Sequence, residues 1–342
     1  MTASVRVAVI GGGSFGTAIA NIVAENGHEA WLWMRNADRA TEINTHHSNN
    51  EYLPGYALSP QLRATLDLAE AVSGSDVIFM AVPSSSCRDV AKQVAQYIDD
   101  NVLVVSLTKG IEPSGFRLMS EIIEEEMPGV RLGVLSGPNL AREIASRQLT
   151  GSVIASADVE LCNAIQTLLH CAYFRVYDST DRYGVELGGA LKNIYAMMAG
   201  MGAALGLGQN TQAMLMTRSL AEMSRFAVRL GANPLTFLGL AGVGDLIVTC
   251  MSPLSRNYRV GYALGEGKPL DDVLADMDQV AEGINTLKLV RDKAAELDVY
   301  MPLADGLYEI LYNHRAIADV VGDLMGSEQN IDVEFVLPGG LQ

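Results

Sequence analysis

The chain has 342 residues, of which 49% are hydrophobic and 19% charged, and its formal net charge is −16. This length predicts two domains, each large enough to bury its own core, and the composition is typical of a folded globular protein. The negative charge argues against nucleic acid or an anionic membrane as the partner. A phosphate-bearing ligand must therefore be held by local cations and helix N-termini against the overall field.

The first predicted elements form a strand–turn–helix unit. Residues 6–10 are a β-branched apolar run typical of a buried strand, and an Ala/Ile-rich segment with good helix propensity follows. Between them, Gly11, Gly13 and Gly16 have the G-x-G-x-x-G spacing. Gly11 permits the tight turn, Gly13 lets the backbone approach a diphosphate, and Gly16 lets the helix pack close to the strand. The unit predicts dinucleotide binding, with the diphosphate on the N–H groups that begin the helix.

Residues 29–35 predict a second strand, which ends in an unusual residue for an NAD site. An NAD-preferring site has Asp or Glu about 20 residues after the glycines, whereas this chain has Arg35. Arg35 can face the 2′-phosphate of NADP or stack on adenine, or it is simply a solvated arginine. The presence of Arg35 at this position favours NADP over NAD as the cofactor. Residues 38–58 are polar, and we expect them to be mostly loop.

Three further buried strands follow, at residues 76–83, 102–107 and 131–136, with a helix at 90–97. The 102–107 strand runs directly into Lys109 and Gly110. Ligands of open α/β sheets lie at the carboxyl ends of the strands, so Lys109 is placed for chemistry or for binding phosphate. A lysine at a strand end is often only solvated, but here the apolar run before it and the glycine after it favour function.

The 131–136 strand leads into Gly137 and Asn139, and a helix start near Ala141 follows. We interpret this stretch as another loop that presents backbone donors. Strands at residues 151–156 and 174–177 flank a helix at 159–170. The alternation of strands and helices predicts an α/β, doubly wound, Rossmann-type domain over residues 1–183.

From Gly184 onward the pattern changes to successive helices, which predicts an all-α substrate or catalytic domain over residues 184–342. Lys192 lies off the apolar stripe of its helix, and Gly188 leaves space on its face. Asp245 follows a glycine-rich stretch, and Ser255 can cap a helix whose first turn favours an anion. Taken singly, these side chains are equally consistent with ordinary surface and turn residues.

Neither the adjacent pair His46 and His47 nor the scattered cysteines have metal-ligand spacing, so no metal is expected. The cysteines, Cys87, Cys162, Cys171 and Cys250, are interpreted as buried thiols of a reducing compartment.

The N-terminus lacks a secretory pattern, and the most apolar helix, at residues 193–208, is shorter than the ~20 residues that span a bilayer. We expect a cytoplasmic protein without membrane insertion.

Seven motifs in order resemble the family of bacterial NAD(P)-dependent glycerol-3-phosphate dehydrogenases. The resemblance extends from about Val5 to about Met325 and covers nearly the whole chain. The tail after Met325 does not match the short basic ending expected of the family. The motifs occupy residues 11–18, 109–110, 137–141, 186–193, 241–245, 252–257 and 280–283.

This resemblance implies the reversible reduction of dihydroxyacetone phosphate to sn-glycerol 3-phosphate by NAD(P)H, with Lys192 as the proton donor and acceptor. It also implies a homodimer that supplies glycerophospholipid synthesis. The residues that match the family's cofactor contacts are Ser14, Phe15, Arg35, Lys109, Ala141, Arg256, Val280 and Glu282. Those that match its substrate contacts are Lys109, Gly137, Asn139, Lys192, Asp245, Ser255, Arg256 and Asn257.

The residue types suit this chemistry. Hydride transfer to a ketone carbon leaves an alkoxide that needs a proton, and a positioned lysine can supply one. Asp245 is expected to orient the Lys192 ammonium, with Lys109 as a second nearby cation, and Arg256 offers a bidentate fork for phosphate.

Two alternatives remain open on the sequence alone. One is a dehydrogenase of a hydroxyacid or of 6-phosphogluconate, which also pairs a Rossmann domain with helices and a lysine. The other is a non-catalytic protein that senses dinucleotides.

Overall fold

The computed structural model describes residues 4–275 and 282–326. Val280 and the divergent tail from residue 327 lie outside the described residues. Contacts between Cα atoms divide the chain into two compact units, the first ending at Arg182 and the second beginning at Tyr183.

The first unit is built on a sheet of eight strands in the order β3-β2-β1-β4-β5-β8-β9-β10. Neighbouring strands are parallel except β8 and β9, so β9 and β10 run against the other six. A separate antiparallel hairpin is formed by β6 and β7. The strands are β1 (Arg6–Ile10), β2 (Glu29–Trp33), β3 (Arg63–Thr65), β4 (Val77–Met80), β5 (Leu103–Ser106), β6 (Ile111–Glu112), β7 (Arg117–Leu118), β8 (Arg131–Ser136), β9 (Thr150–Ala155) and β10 (Phe174–Ser179).

Alternate residues of the central strands enter two apolar layers, one on each face of the sheet. In β1, Val7 and Val9 belong to one layer, while Ala8 and Ile10 belong to the other. Because both faces are covered by helices, the strands have the continuous apolar sequence of a buried parallel sheet. The predicted doubly wound fold is confirmed, and the strand order reverses beside β1, where such folds bind ligands.

Seven α-helices connect these strands within residues 4–181. The helix α2 occupies the first part of the segment 38–58, which is loop only from residue 47 onward. The Asn36 side chain caps α2 by accepting a hydrogen bond from the Arg39 backbone N–H at 3.0 Å. Only Ala40 and Ile43 of α2 are buried, so the apolar period was too sparse to recognise. The helices are α1 (Ser14–Glu25), α2 (Ala37–His46), α3 (Leu68–Val72), α4 (Cys87–Val94), α5 (Met119–Glu126), α6 (Ala141–Ala145) and α7 (Val159–Leu169).

Every regular element of the second unit within the described ranges is helical, which confirms the all-α prediction. The helices are α8 (Arg182–Ala204), α9 (Gln209–Arg229), α10 (Asp245–Met251), α11 (Arg256–Gly265), α12 (Leu270–Ala275), α13 (Glu282–Glu296), α14 (Pro302–Tyr312) and α15 (Ile317–Gly326). A π-helical turn, Leu240–Gly244, leads into α10.

Glycines bring α8 and α11 together, backbone against backbone. A Cβ atom on Gly200 would lie 2.1 Å from the Tyr258 carbonyl oxygen, and one on Gly261 would lie 1.8 Å from that of Met197. No side chain can be accommodated at either position, so both glycines are required for this packing. The close approach places the start of α11, with Ser255 and Asn257, beside α8.

No helix in the described part of the chain is long and apolar enough to cross a bilayer. The cysteines are free thiols, of which Cys87, Cys162 and Cys250 are buried and Cys171 is partly exposed.

Candidate functional site

The glycine-rich loop lies at the carboxyl end of β1, and its glycines have different surroundings. Gly11 has φ +124°, and a Cβ atom there would lie 2.4 Å from the Ala81 carbonyl oxygen. A Cβ atom on Gly16 would lie 2.0 Å from the Gly11 carbonyl oxygen. These two glycines therefore serve the turn and the packing of the helix on the strand, as their spacing predicts.

Gly13 faces open space instead. It is the N-cap of α1, and a Cβ atom added to it meets no atom within 4 Å. The first backbone bond of α1 runs from Thr17 N to Gly13 O at 2.9 Å, so the N–H groups of Ser14, Phe15 and Gly16 precede it. Open space beside these donors at the positive end of a helix fits a diphosphate.

The glycine-rich loop is hydrogen-bonded to the segment between α2 and β3. Sequence reasoning assigned no role in the site to this segment. Asn49 is fully buried, and its Nδ2 donates to the Gly12 carbonyl at 3.2 Å and to Thr17 Oγ1 at 2.9 Å. Ser14 Oγ donates to the Tyr52 carbonyl at 3.1 Å. Buried Asn49 thus connects the loop to the segment that follows α2.

Two arginines that follow β2, Arg35 just after the strand and Arg39 on α2, have different environments. Arg35 is exposed. Arg39 pairs with Glu51, and its guanidinium lies 4.8 Å from the centre of the Tyr52 ring. Because Glu51 offsets the charge of Arg39, Arg35 is the better candidate to meet an anion at this strand end.

The carboxyl ends of β5 and β8 bring together two predicted substrate residues. Lys109 Nζ donates to the Gly137 carbonyl at 3.2 Å. Gly137 has φ +137°, and a Cβ atom there would lie 3.3 Å from Ser152 Cα, so the position requires glycine. Asn139 Nδ2 donates to Ser152 Oγ at 3.0 Å. Ala141 begins α6 and packs, partly buried, against the core, as does Phe15.

In the second unit, Lys192 and Asp245 form a buried ion pair. Lys192 is 7% exposed and Asp245 0%. Lys192 Nζ donates to Asp245 Oδ1 and, at 2.9 Å, to Thr249 Oγ1. Thr249 Oγ1 in turn donates to the Asp245 carbonyl at 2.6 Å, which leaves its lone pairs to face the ammonium. Sequence reasoning missed Thr249, although its i+4 spacing from Asp245 on α10 was the available signal.

The π-helical turn delivers Asp245 to this position. A Cβ atom on Gly188 would lie 2.9 Å from the Ala241 carbonyl, so the space left by Gly188 on α8 is filled by the backbone of this turn. A Cβ atom on Gly242 would lie 2.3 Å from Phe237 Cα. Gly188 thus lets the turn pack onto α8 one helical turn from Lys192, while Gly242 lets the turn pack closely on the preceding segment at Phe237.

The start of α11 is tied to α13. Ser255 is the N-cap of α11 and accepts from Tyr258 N at 3.3 Å, and Arg256, the first helical residue, is exposed. Asn257 Oδ1 accepts from Gly283 N at 3.1 Å. Glu282 is the first residue of α13.

Cys250 adjoins the ion pair, but it is not a nucleophile candidate. Burial raises the pKa of the Cys250 thiol to about 12, with Asp245 adding to the effect and Lys192 opposing it. The thiol is therefore neutral at physiological pH. No group of three or more metal-ligating side chains occurs in residues 4–275 and 282–326.

A glycine-rich loop lies at the switch point of a mostly parallel sheet, and a helical unit with a buried lysine–aspartate pair follows it in the chain. These features define a class of Rossmann-type nucleotide-binding proteins with a second, helical unit. Comparison with known proteins narrows this class. The family model described as the N-terminus of NAD-dependent glycerol-3-phosphate dehydrogenase matches residues 6–162, and the model of its C-terminus matches residues 181–322. The chain belongs to the NAD-dependent glycerol-3-phosphate dehydrogenase family.

Similar proteins are known in sequence and in structure. The chain is 58% identical over 342 residues to the glycerol-3-phosphate dehydrogenase [NAD(P)+] of Teredinibacter turnerae, covering 100% of both chains. It is 58% identical over 340 residues to the protein of the same name from Azotobacter vinelandii, covering 99% of this chain and 100% of that protein. The crystal structure of glycerol-3-phosphate dehydrogenase from Coxiella burnetii is 35% identical, with a TM-score of 0.89 over 95% of this chain and 99% of that chain. The resemblance inferred from the seven motifs is confirmed.

Proposed function

We propose that this protein transfers hydride reversibly between NAD(P)H and dihydroxyacetone phosphate, giving sn-glycerol 3-phosphate. Full-length relatives that are 58% identical and named glycerol-3-phosphate dehydrogenase [NAD(P)+] support the reaction and the cofactor. The observation that carries the mechanism is the buried Lys192, held by Asp245 and Thr249. A ketone reductase requires a positioned proton donor, and a buried lysine ammonium can serve as one.

In this mechanism, bound NAD(P)H supplies the hydride, and Lys192 gives a proton to the carbonyl oxygen as negative charge develops on it. Asp245 and Thr249 hold the Lys192 Nζ in place and offset the cost of burying its charge. In the reverse direction, Lys192 accepts the hydroxyl proton. The same ion pair thus serves both directions.

The contacts of the two ligands are part of the proposal. Arg256 at the start of α11 offers a planar fork of donors to the substrate phosphate, beside Ser255 and Asn257. The remaining substrate contacts are Lys109, Gly137, Asn139, Lys192 and Asp245. The proposed cofactor contacts are Gly11, Gly13, Ser14, Phe15, Gly16, Arg35, Lys109, Ala141, Arg256, Val280 and Glu282.

We further propose that Arg35 favours NADP by pairing with its 2′-phosphate. The exposed guanidinium at the end of β2 and the ion pair that occupies Arg39 support this assignment. Arg35→Ala should raise the Kd of NADPH about 10-fold and leave that of NADH almost unchanged, measured by fluorescence titration. An equal rise in the Kd of both cofactors would show that Arg35 does not recognise the 2′-phosphate.

The resemblance also supports a cytoplasmic homodimer whose product feeds glycerophospholipid synthesis. Exposed apolar side chains on the second unit, among them Met214, Met251 and Leu254, are consistent with an interface there. Light scattering should give twice the 36.6 kDa mass of one chain. The mass of a single chain would remove the dimer from the proposal.

The decisive experiment follows NADPH oxidation with dihydroxyacetone phosphate, for the wild type, for Lys192→Met and for the exposed control Lys268→Met. We expect Lys192→Met to lose roughly 10²-fold or more in kcat while it still binds NADPH. Lys268→Met should match the wild type.

Turnover of a hydroxyacid or of 6-phosphogluconate, with none of dihydroxyacetone phosphate, would instead assign the protein to another dehydrogenase. NADPH binding without turnover of any of these compounds would indicate a dinucleotide sensor.

A further inference from the structure

A chain of polar groups at the carboxyl end of β8 determines the orientation of one amide. Asn139 Nδ2 donates to Ser152 Oγ at 3.0 Å, and Ser152 Oγ donates to the Ser136 carbonyl at 3.0 Å. Ser152 and Ser136 are both buried. Ser152 lies on β9 and is not among the residues assigned to the site so far.

The direction of these bonds follows from chemistry alone. Both 3.0 Å contacts of Ser152 Oγ are hydrogen bonds only if its single proton goes to the Ser136 carbonyl, because a carbonyl oxygen only accepts. Ser152 Oγ then has only lone pairs left for Asn139, so the amide must present Nδ2 to it. The amide orientation, which is usually ambiguous between oxygen and nitrogen, is therefore determined by the network.

In this orientation, the Asn139 amide oxygen is an acceptor that no protein donor reaches among the described residues. Asn139 Oδ1 is buried and has no hydrogen-bond partner among the described residues. A buried acceptor without a donor is unfavourable, so a ligand that brings a hydrogen is preferred over one that does not. In dihydroxyacetone phosphate, the ionised phosphate and the ketone only accept, and the hydroxymethyl O–H is the sole donor.

We propose that Ser152 is a positioning residue that makes Asn139 Oδ1 an obligate acceptor, through which the site selects substrates by their hydroxymethyl group. This inference rests on the proposed function, and it specifies the part of the substrate that Asn139 recognises. Lys109 Nζ donates to the carbonyl of Gly137, which lies two residues before Asn139 in the same loop.

The test compares dihydroxyacetone phosphate with hydroxyacetone phosphate, which has a methyl group in place of the hydroxymethyl group. For the wild type we expect kcat/KM to be roughly 10²-fold lower with the methyl analogue. In Asn139→Leu this ratio should fall below about 10. In Ser152→Ala, where the amide can turn, it should fall to an intermediate value. A general loss of structure would lower kcat/KM for both substrates and leave the ratio unchanged.

Ser106→Ala is the matched control. Ser106 is a buried serine on the adjacent strand β5, its Oγ has no partner among the described residues, and it is not part of the Asn139 network. Its ratio should equal that of the wild type. If Ser152→Ala does not fold, Ser152→Cys takes its place, because a thiol is only a weak donor and acceptor, and Asn139→Leu still tests the acceptor itself.

Two results would overturn the inference while leaving the reaction intact. One is wild-type discrimination retained in Asn139→Leu or Ser152→Ala when the circular dichroism spectrum and Tm of that variant match those of the wild type. The other is that the variants lose only the discrimination between NADH and its 3-acetylpyridine analogue. In that case, the donor to Asn139 Oδ1 would be the nicotinamide carboxamide and not the substrate hydroxymethyl group. If the wild type does not reduce dihydroxyacetone phosphate at all, the proposed function fails and the inference fails with it.

Discussion

Thr249 is the residue of the buried cluster whose contribution is easiest to isolate. Its Oγ1 accepts from Lys192 Nζ at 2.9 Å, and it is almost completely buried. Thr249→Val keeps the shape and removes the acceptor, so we expect kcat to fall about 10-fold with little change in the KM of NADPH. Steady-state kinetics measures both values.

Thr249→Ser keeps the hydroxyl and is the control for this prediction. It should retain most of the kcat. Equal losses in both variants would indicate that packing, and not the hydrogen bond to Lys192, is what Thr249 contributes.

Gly13 and Gly16 offer a second comparison at the residue scale. A methyl group at Gly13 enters the open space beside the start of α1, whereas one at Gly16 meets the Gly11 carbonyl at 2.0 Å. Gly13→Ala should keep the wild-type Tm and weaken NADPH binding about 10-fold or more. Gly16→Ala should lower the Tm itself, because the helix must move away from the strand. Thermal unfolding monitored by circular dichroism, with fluorescence titration, separates the two.

At the scale of elements, the buried Glu222 joins α9 to α8 and α14. Its carboxylate accepts from the backbone N–H groups of Leu303 and Ala304, both at 2.9 Å, and from Tyr195 Oη at 3.1 Å. Burial raises the pKa of Glu222 from 4.5 to about 7, although these hydrogen bonds and the nearby Arg225 oppose the shift.

The raised pKa makes the stability of the protein depend on pH. The folded state holds the Glu222 proton more tightly than the unfolded chain, so the unfolding free energy falls as pH rises from about 4.5 to about 7. Glu222 should account for a fall of about 3 kcal/mol across this window.

Glu222→Gln cannot titrate, so the part of the pH dependence that Glu222 contributes should disappear in this variant. Urea unfolding monitored by circular dichroism at several pH values measures the slope for both proteins. Equal slopes between roughly pH 5 and pH 7 in the wild type and the variant would assign the dependence to other groups.

Several elements show how far sequence reasoning reaches. The predicted strands at residues 151–156 and 174–177 exist as β9 and β10, but both run against the rest of the sheet. Strand direction depends on the path of the connection, which local periodicity does not encode. The short β3 and the β6–β7 hairpin were not predicted because each strand has only two or three residues.

At the scale of the whole molecule, both tryptophans of the chain lie in the first unit. Trp31 and Trp33 belong to β2, so tryptophan fluorescence follows the unfolding of this unit alone. If the dinucleotide binds here, NADP⁺ at about 100 times its Kd should add about 2.7 kcal/mol to the unfolding free energy of this unit. The urea midpoint followed by fluorescence should therefore rise.

Nicotinamide mononucleotide, which lacks the diphosphate bridge and the adenosine, is the control and should leave the midpoint almost unchanged. A midpoint that does not move with NADP⁺ would contradict binding at the glycine-rich loop. A shift that is equally large with the mononucleotide would place the recognition away from the diphosphate.

The sequence by itself determined the class of fold, the glycine-rich loop and the family, because each depends on local spacing or on motifs that are contiguous in the chain. The tertiary structure decided which distant side chains meet. Lys192 and Asp245 are 53 residues apart, and they meet where Gly188 lets a π-helical turn approach α8. The orientation of the Asn139 amide likewise depends on Ser152, a residue of another strand. Contacts of this kind arise from the packing of elements against one another, for which no local pattern in the sequence is a sufficient guide.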